Sequence, residues 1–452
     1  MTTNLDHAPT SPDVSRRYVV VSSDGHAGPS LEHSLRPYCP STHLEAFDDF
    51  VLAFRRGEFA DGRHDHEMTD VDKLLYGASF APDAVRGPGV SSLLPVQGSR
   101  DVLDQYAQCR GNDDATARLA HMDDEGIAAE LIFSGGQNAE MLPFGVGFGT
   151  GAGAPGVDPE LRAVGQRIWN AWLIDHVATD SARLVGVMQI PVWDVDQTVA
   201  EIRWCAERGL RAVNFPSPRK DFAPYNDPRY EPLWQVCVEL GLPLVTHTGG
   251  GDDPLGSQGP GGEALTAYER PWLARRGLAQ LMFGGVFERH PALKVVWTEM
   301  RVGWVADTVA ALDELYTSNI CRSVRGEVPK TPGEYWSTNC FNSGSFLARF
   351  EVDRREDVGI GNLFFGRDYP HVEGTWPHTD LALRNTFAGV PEADTRRILG
   401  LNAIPVYGLD AATLRGVADR IGPWPEAVNV PVQPDELPDH RGFAYRTRNE
   451  NE

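Results

Sequence analysis

The chain has 452 residues, 41 basic and 63 acidic side chains, a formal charge of −22, 41% hydrophobic and 23% charged residues. That is a globular composition, long enough to bury a large core unaided, and its acidity excludes a general nucleic-acid binder or a helix drawn to anionic lipid. Six cysteines without a C-x-x-C pair, and no apolar run of membrane-spanning length, point to a reduced cytoplasmic protein with no membrane partner.

Residues 1–17 read as a disordered leader and 423–452 as an acidic, proline-studded tail, which leaves 18–422 as a single domain. Within it, β-branched runs at 18–23, 128–133, 183–190, 210–215, 243–247, 294–299, 339–342 and 362–368 are predicted strands. Between them, at 159–179, 195–209, 229–241 and 302–316, apolar residues recur every three or four positions, as in helices. Eight strands alternating with helices is the count of a (β/α)8 TIM barrel of the α/β class. An open doubly wound sheet is disfavoured, because no G-x-G-x-x-G follows the first strand. Two insertions, about 57–100 after strand 1 and 135–159 after strand 2, exceed ordinary loop length and are expected at the catalytic face as lids. The first carries His64-Asp65-His66-Glu67, read as solvated surface; the glycine-rich run 145–151 in the second lacks a phosphate-loop ending and reads as a flexible lid.

The strand ends carry the chemistry. Strand 1 ends in Asp24-Gly25-His26, whose outer two residues point to the same side of an extended backbone. Strand 5 ends in His247, strand 6 in Glu299, and strand 8 runs through Asp368-Tyr369-Pro370-His371. Imidazoles and carboxylates at four strand ends, all at the face where barrels keep their sites, point to a metal centre.

These pieces resemble the amidohydrolase-related TIM barrels that include aminocarboxymuconate-semialdehyde decarboxylase and the resorcylate decarboxylases. The resemblance rests on Asp24-Gly25-His26, His247, residues 283–296, residues 365–371 and Asn402-Ala403 with Tyr407, and covers about 18–409. The sequence departs from that family where it usually shows His-x-His in strand 1 and often a histidine in strand 6; here Asp24 and Glu299 stand instead. His290 precedes strand 6 and reads as structural. The ligand set becomes Asp24, His26, His247, Glu299, Asp368 and His371, with Glu130 and Glu373 as further candidates. Glu130 reads equally well as a buried partner of an arginine, and Glu373 as an acceptor that holds His371. So many carboxylates suit two hard, redox-capable ions, iron by expectation, with zinc or manganese as the alternative.

The altered pattern, including Ile127-Ala128-Ala129-Glu130 and the run 368–375, also resembles an actinobacterial branch of these barrels. That branch includes non-haem diiron monooxygenases of terpenoid natural-product biosynthesis. The resemblance implies hydroxylation of a small organic acid or its coenzyme A thioester, an external electron donor and a homodimer. The alternative is an amidohydrolase-type hydrolase or decarboxylase of a carboxylated substrate, with one divalent ion and Asp368 as base; a non-enzymatic binding scaffold is a third. Asn214 and Tyr369 are candidates for contacts with the reacting groups, though loop bonding and packing under a lid suit them as well. Arg219 with Lys220, and Arg275 with Arg276, are candidates for holding a substrate anion, or else ordinary surface ion pairs. Members of the actinobacterial branch often carry another residue between Asp24 and His26; Gly25 is expected to be tolerated there, since that side chain points away.

Overall fold

The computed structural model describes residues 16–55, 109–136, 138, 140, 142–145, 158–249, 251, 259–371 and 373–437. The insertion 57–100 with His64-Asp65-His66-Glu67, most of the glycine-rich run 145–151, and the two chain ends (1–15 and 438–452) lie outside them.

All the predicted strands form, as β1 (Val20–Ser22), β3 (Ile127–Ser134), β4 (Leu184–Met188), β5 (Ala212–Asn214), β6 (Leu244–His247), β7 (Val295–Thr298), β8 (Cys340–Ser345) and β9 (Leu363–Gly366). A two-residue strand, β2 (His26–Ala27), continues β1 beyond a break at Asp24 and pairs with β3 through His26↔Phe133. Every pairing is parallel, in the order β1-β3-β4-β5-β6-β7-β8-β9. The sheet closes where Ser23 donates to Phe365 O at 2.8 Å and Asp368 N donates to Asp24 O at 3.1 Å. The chain is thus the expected (β/α)8 barrel. One boundary differs: β8 begins after Asn339 and runs on through Ser343-Gly344-Ser345. Asn339 ends a helix, Pro332–Asn339, that Thr331 and Glu334 start with a reciprocal cap. Pairing with β9 on one side and β7 on the other overrides the loop-like composition of the strand's second half.

Alternation along the strands separates two cores. Val20, Ile132, Met188, Leu244 and Val295 pack outward against helices through Trp169, Leu173 and Trp234. Their neighbours Val21, Leu131, Val187, Val245 and Val296 face inward with Phe341 and Phe364, joined by Ala403, Tyr407 and Leu414 from the C-terminal helices. Each fully buried aliphatic side chain of this kind stabilises the fold by roughly 1.5–3 kcal/mol. The inward face positions the site, because the inward row of β6 ends in His247 at the barrel mouth and Asp24, Glu299 and Asp368 follow β1, β7 and β9 there.

Residues next to the chain ends are tied down. Tyr18 N donates to Pro423 O at 2.9 Å, Arg17 lies over Trp424, and Arg384 pairs with Glu436 at 2.8 Å. Among the described residues no helix is long and apolar enough to cross a membrane, and all six cysteines are buried thiols.

Candidate metal centre

Three overlapping groups of ligand atoms form at the strand ends: Asp24, His26 and His247; His26, Asp368 and His371; and Glu299, Asp368 and Glu373. Asp24 Oδ1 lies 3.3 Å from His26 Nε2 and 3.5 Å from His247 Nε2. Asp368 Oδ1 lies 3.2 Å from His26 Nε2 and 2.9 Å from His371 Nδ1, and Glu299 Oε2 lies 3.3 Å from His247 Nε2. All the expected ligands therefore meet, and Glu373 joins them, 4.0 Å from His371 Nδ1.

The backbone is shaped for this. Glu299 and Asp368 have left-handed φ values of 58° and 56°, a conformation that costs a non-glycine residue roughly 1–2 kcal/mol. Both residues directly follow or lie just beyond a strand, where the turn brings a carboxylate to the mouth. Gly366 is needed beside them, since a Cβ there would sit 2.7 Å from Asp24 Cβ. Beneath, the buried Phe133 ring lies 5.8 Å from the His26 ring and 5.0 Å from that of His247.

Each imidazole has one nitrogen on a peptide carbonyl: His26 Nδ1 on Ser134 O at 3.0 Å, His247 Nδ1 on Thr248 O at 2.8 Å, and His371 Nε2 on Gly135 O at 2.7 Å. A carbonyl only accepts, so these nitrogens donate. In a neutral imidazole the other nitrogen then turns a lone pair toward the carboxylates. Lone pairs facing carboxylate oxygens repel unless a cation or protons lie between them. Asp24 Oδ1 and both Asp368 oxygens are buried and accept no hydrogen bond of good geometry. Three oriented imidazoles, these oxygens and their spacing fit a divalent ion.

Without an ion, protons take its place. Burial opposes charge on His371, but the Asp368 carboxylate outweighs it and pushes the imidazole up to about 9. His247 is raised likewise, Asp24 and Glu299 prevailing over burial. Burial raises Asp24, yet His247 and His26 hold it well below the usual carboxylate range. Burial drives Glu299 well above that range; His247 opposes, and Asp368, Asp24 and Glu373 reinforce the rise.

Other candidates lie elsewhere. Glu130 is turned away from the ligand group, and its two oxygens accept from Arg118 at 2.6 Å and Arg367 at 2.5 Å. The Tyr369 hydroxyl is engaged with His121 Nδ1 at 2.7 Å and Cys109 Sγ at 2.9 Å. Asn214 is one level deeper in the barrel than His247, opposite Val245, and donates to Gln189 Oε1 at 2.8 Å. Arg219 bonds Asp221 and Gly251 O, and Lys220 and Arg276 are exposed. Arg275 is clamped between Trp272 and Trp304, with burial lowering it to about 10. His290 is held by Glu231 at 2.8 Å. At Gly25 a Cβ would meet Glu130 Cδ at 2.8 Å and Leu131 O at 2.9 Å, so glycine fits this position. Sequence reasoning missed Arg118 and Arg367, because a buried arginine on a helix or strand end leaves no periodic signal.

Residues 120–409 match the protein family described as Amidohydrolase. The chain is 24% identical over 253 residues to the 2-amino-3-carboxymuconate-6-semialdehyde decarboxylase of Dictyostelium discoideum, an alignment spanning 53% of this chain and 66% of that relative. It is 24% identical over 269 residues to a gamma-resorcylate decarboxylase from a Polaromonas strain, covering 53% and 75%. Among solved structures, a 5-carboxyvanillate decarboxylase variant from Novosphingobium aromaticivorans, with bound manganese and 3-methoxy-4-hydroxy-5-nitrobenzoic acid, superposes with a TM-score of 0.59. That match has 17% identity and covers 87% of this chain and 97% of the other. With more than half of its residues in the matched segment, the chain belongs to the amidohydrolase family.

Proposed function

We propose that the protein is a divalent-metal-dependent decarboxylase of a carboxylated, aromatic-type substrate. The observation that carries this reading is the set of three imidazoles whose tautomers are fixed by Ser134, Thr248 and Gly135 and whose remaining nitrogens face Asp24, Glu299 and Asp368. The two sequence relatives named above are decarboxylases, which supports the alternative drawn from the sequence over the monooxygenase. Asp24, His26, His247 and Asp368 would hold the ion; manganese and zinc both suit the set. When bound, the ion supplies an anchoring charge and Lewis acidity.

The remaining steps belong to the chain's own residues. Ser345 Oγ donates to Asp24 Oδ2 and fixes that carboxylate's orientation. Loss of carbon dioxide exchanges a C–C bond for a C–H bond, so one proton must be delivered to carbon. His371 is assigned to hold that proton at Nδ1, with Asp368 Oδ1 2.9 Å away. The buried Phe133 beneath the histidines keeps water from the floor of the site.

One observation favours a second reading. Glu299, Asp368 and Glu373 make a further carboxylate group that shares Asp368 with the first centre, which suits a second hard ion and the two-iron monooxygenase, acting on an organic acid or its coenzyme A thioester with an external electron donor. Metal analysis combined with anaerobic incubation with gamma-resorcylate and 5-carboxyvanillate separates the two. One Mn or Zn per chain with carbon dioxide release supports the decarboxylase. Two irons per chain and turnover only with O2 and a reductant support the oxygenase.

A further inference from the structure

Four charged side chains are sealed beside the ligand group, and the proposed chemistry uses none of them. Arg118, Glu130 and Arg367 are each 0% exposed, and the Glu125 side chain is 7% exposed. Buried ion pairs stabilise a fold little, or not at all, relative to apolar side chains of the same volume, so their placement points to another use.

Their contacts run from one ligand to the other. Arg118 donates from Nε to Gly111 O at 3.1 Å, from Nη1 to Glu130 Oε2 at 2.6 Å, and from Nη2 to the carbonyl of His26. The other oxygen of Glu130, on β3, accepts from Arg367 Nε at 2.5 Å. Arg367 immediately precedes Asp368, and its Nη1 donates to Glu125 Oε2 at 2.7 Å. Glu125 also accepts from Thr379 N at 3.1 Å and Thr379 Oγ1 at 2.9 Å. Tyr369, which immediately follows Asp368, has its ring 4.6 Å from the Arg118 guanidinium and 4.4 Å from that of Arg367. Its carbonyl accepts the His26 backbone N–H. His26 is therefore gripped at both of its peptide groups, and Asp368 is flanked on both sides by residues of the same network. Between Asp24 and His26, Gly25 leaves Glu130 no spare room.

We infer that Glu130, with Arg118 and Arg367, is a positioning clamp that sets the 3.2 Å separation of His26 and Asp368, so that both reach one metal ion. The inference rests on the proposed reading that these two residues hold the ion. Glu130 acts through its arginines and is a positioning residue, not a ligand.

The test uses the full-length protein and Mn(II) alone, followed by isothermal titration and Mn(II) electron paramagnetic resonance. The charge-neutral Arg118→Met/Glu130→Gln double variant removes both charges of the pair and leaves Arg367 with Glu125 as its carboxylate partner, and Arg118→Lys keeps the charge but cannot make all three contacts. Both are expected to weaken Mn(II) binding about 10–100-fold, the usual effect of losing a partner that orients a metal ligand, and to alter the Mn(II) spectrum. The melting temperature of the metal-free double variant is expected to exceed that of Glu130→Gln alone. Wild-type affinity and an unchanged spectrum in both variants, even with a lowered melting temperature, overturn the clamp while leaving the ligand set intact. A wild-type protein that binds no Mn(II) overturns the ligand set, and the clamp with it.

Discussion

Replacing Gly25 by alanine adds a single methyl group and asks whether the packing behind the ligand strand matters. Its backbone conformation is open to any residue, because Gly25 is absent from the positive-φ positions. The obstacle is space: the new Cβ would lie 2.8 Å from Glu130 Cδ, 2.9 Å from Leu131 O and 3.0 Å from Glu130 Cγ. Carbon atoms sit comfortably at about 3.5–4.0 Å, so something must move by about 0.7–1 Å. Overpacking a core in this way costs about 1–3 kcal/mol. An unfolding entropy of about 2.1 cal/mol/K per residue over 452 residues gives about 0.95 kcal/mol/K, so the melting temperature falls by only about 1–3 °C. The movement is shared between Glu130 and the strand that carries Asp24 and His26, and a misplacement near 1 Å at a reacting site costs about 100-fold in rate. Gly25→Ala is thus expected to fold, to melt slightly early and to lose about two orders of magnitude in kcat/KM. Scanning fluorimetry and anaerobic turnover measure the two effects, with Gly326→Ala, whose Cβ meets open space, as the control. A Gly25→Ala protein with wild-type activity would refute the packing argument.

Three further outcomes are expected. His247→Ala removes an imidazole held by Thr248 O and facing Asp24 and Glu299; its Mn(II) affinity should fall by more than the 10–100-fold typical of losing an outer partner, read by titration. Stripping the metal should lower the melting temperature by about 4 °C, since an ion at about 1,000 times its Kd stabilises by about 4.1 kcal/mol, and re-addition should restore it. His176 is buried against Trp172, where burial lowers its pKa to about 3. Its folded pKa lies below the unfolded value, so its contribution is complete above pH 6.5 and is lost as pH falls toward 3. At pH 5 the loss is about 2 kcal/mol, and a His176→Phe variant measured by urea unfolding at pH 5 and 7.5 should show a correspondingly smaller difference between the two.

The strands and the imidazoles and carboxylates at their ends were legible because both are local signals. A run such as Ile127–Ser134 is buried at every position and reads as a largely apolar stretch broken only by Glu130, and Asp24, His26 and His247 stand where such runs stop. β8 was harder to place, since Ser343, Gly344 and Ser345 look like loop and become strand only through their partners Thr298, Phe365 and Gly366. Glu130 posed the opposite problem. A carboxylate inside a strand near the ligands has the residue type of a metal ligand, and only the three-dimensional placement of Arg118 and Arg367 shows that its oxygens are taken. Tyr369 sits between two motif residues, but its hydroxyl goes to His121 and Cys109, 248 and 260 residues away, a distance no motif spans. At Gly25, alternation says which way a side chain would point, and only the fold shows that Glu130 and Leu131 already occupy that space.

The central claim is that one divalent ion, held by Asp24, His26, His247 and Asp368, supports removal of carbon dioxide without oxygen. It is tested most directly by loading metal-free protein with Mn(II) in an anaerobic chamber and measuring carbon dioxide released from carboxylated phenols. The account predicts release that saturates at one Mn(II) per chain and is lost in Asp24→Ala. No release without oxygen, together with O2 consumption by protein holding two irons, would contradict it.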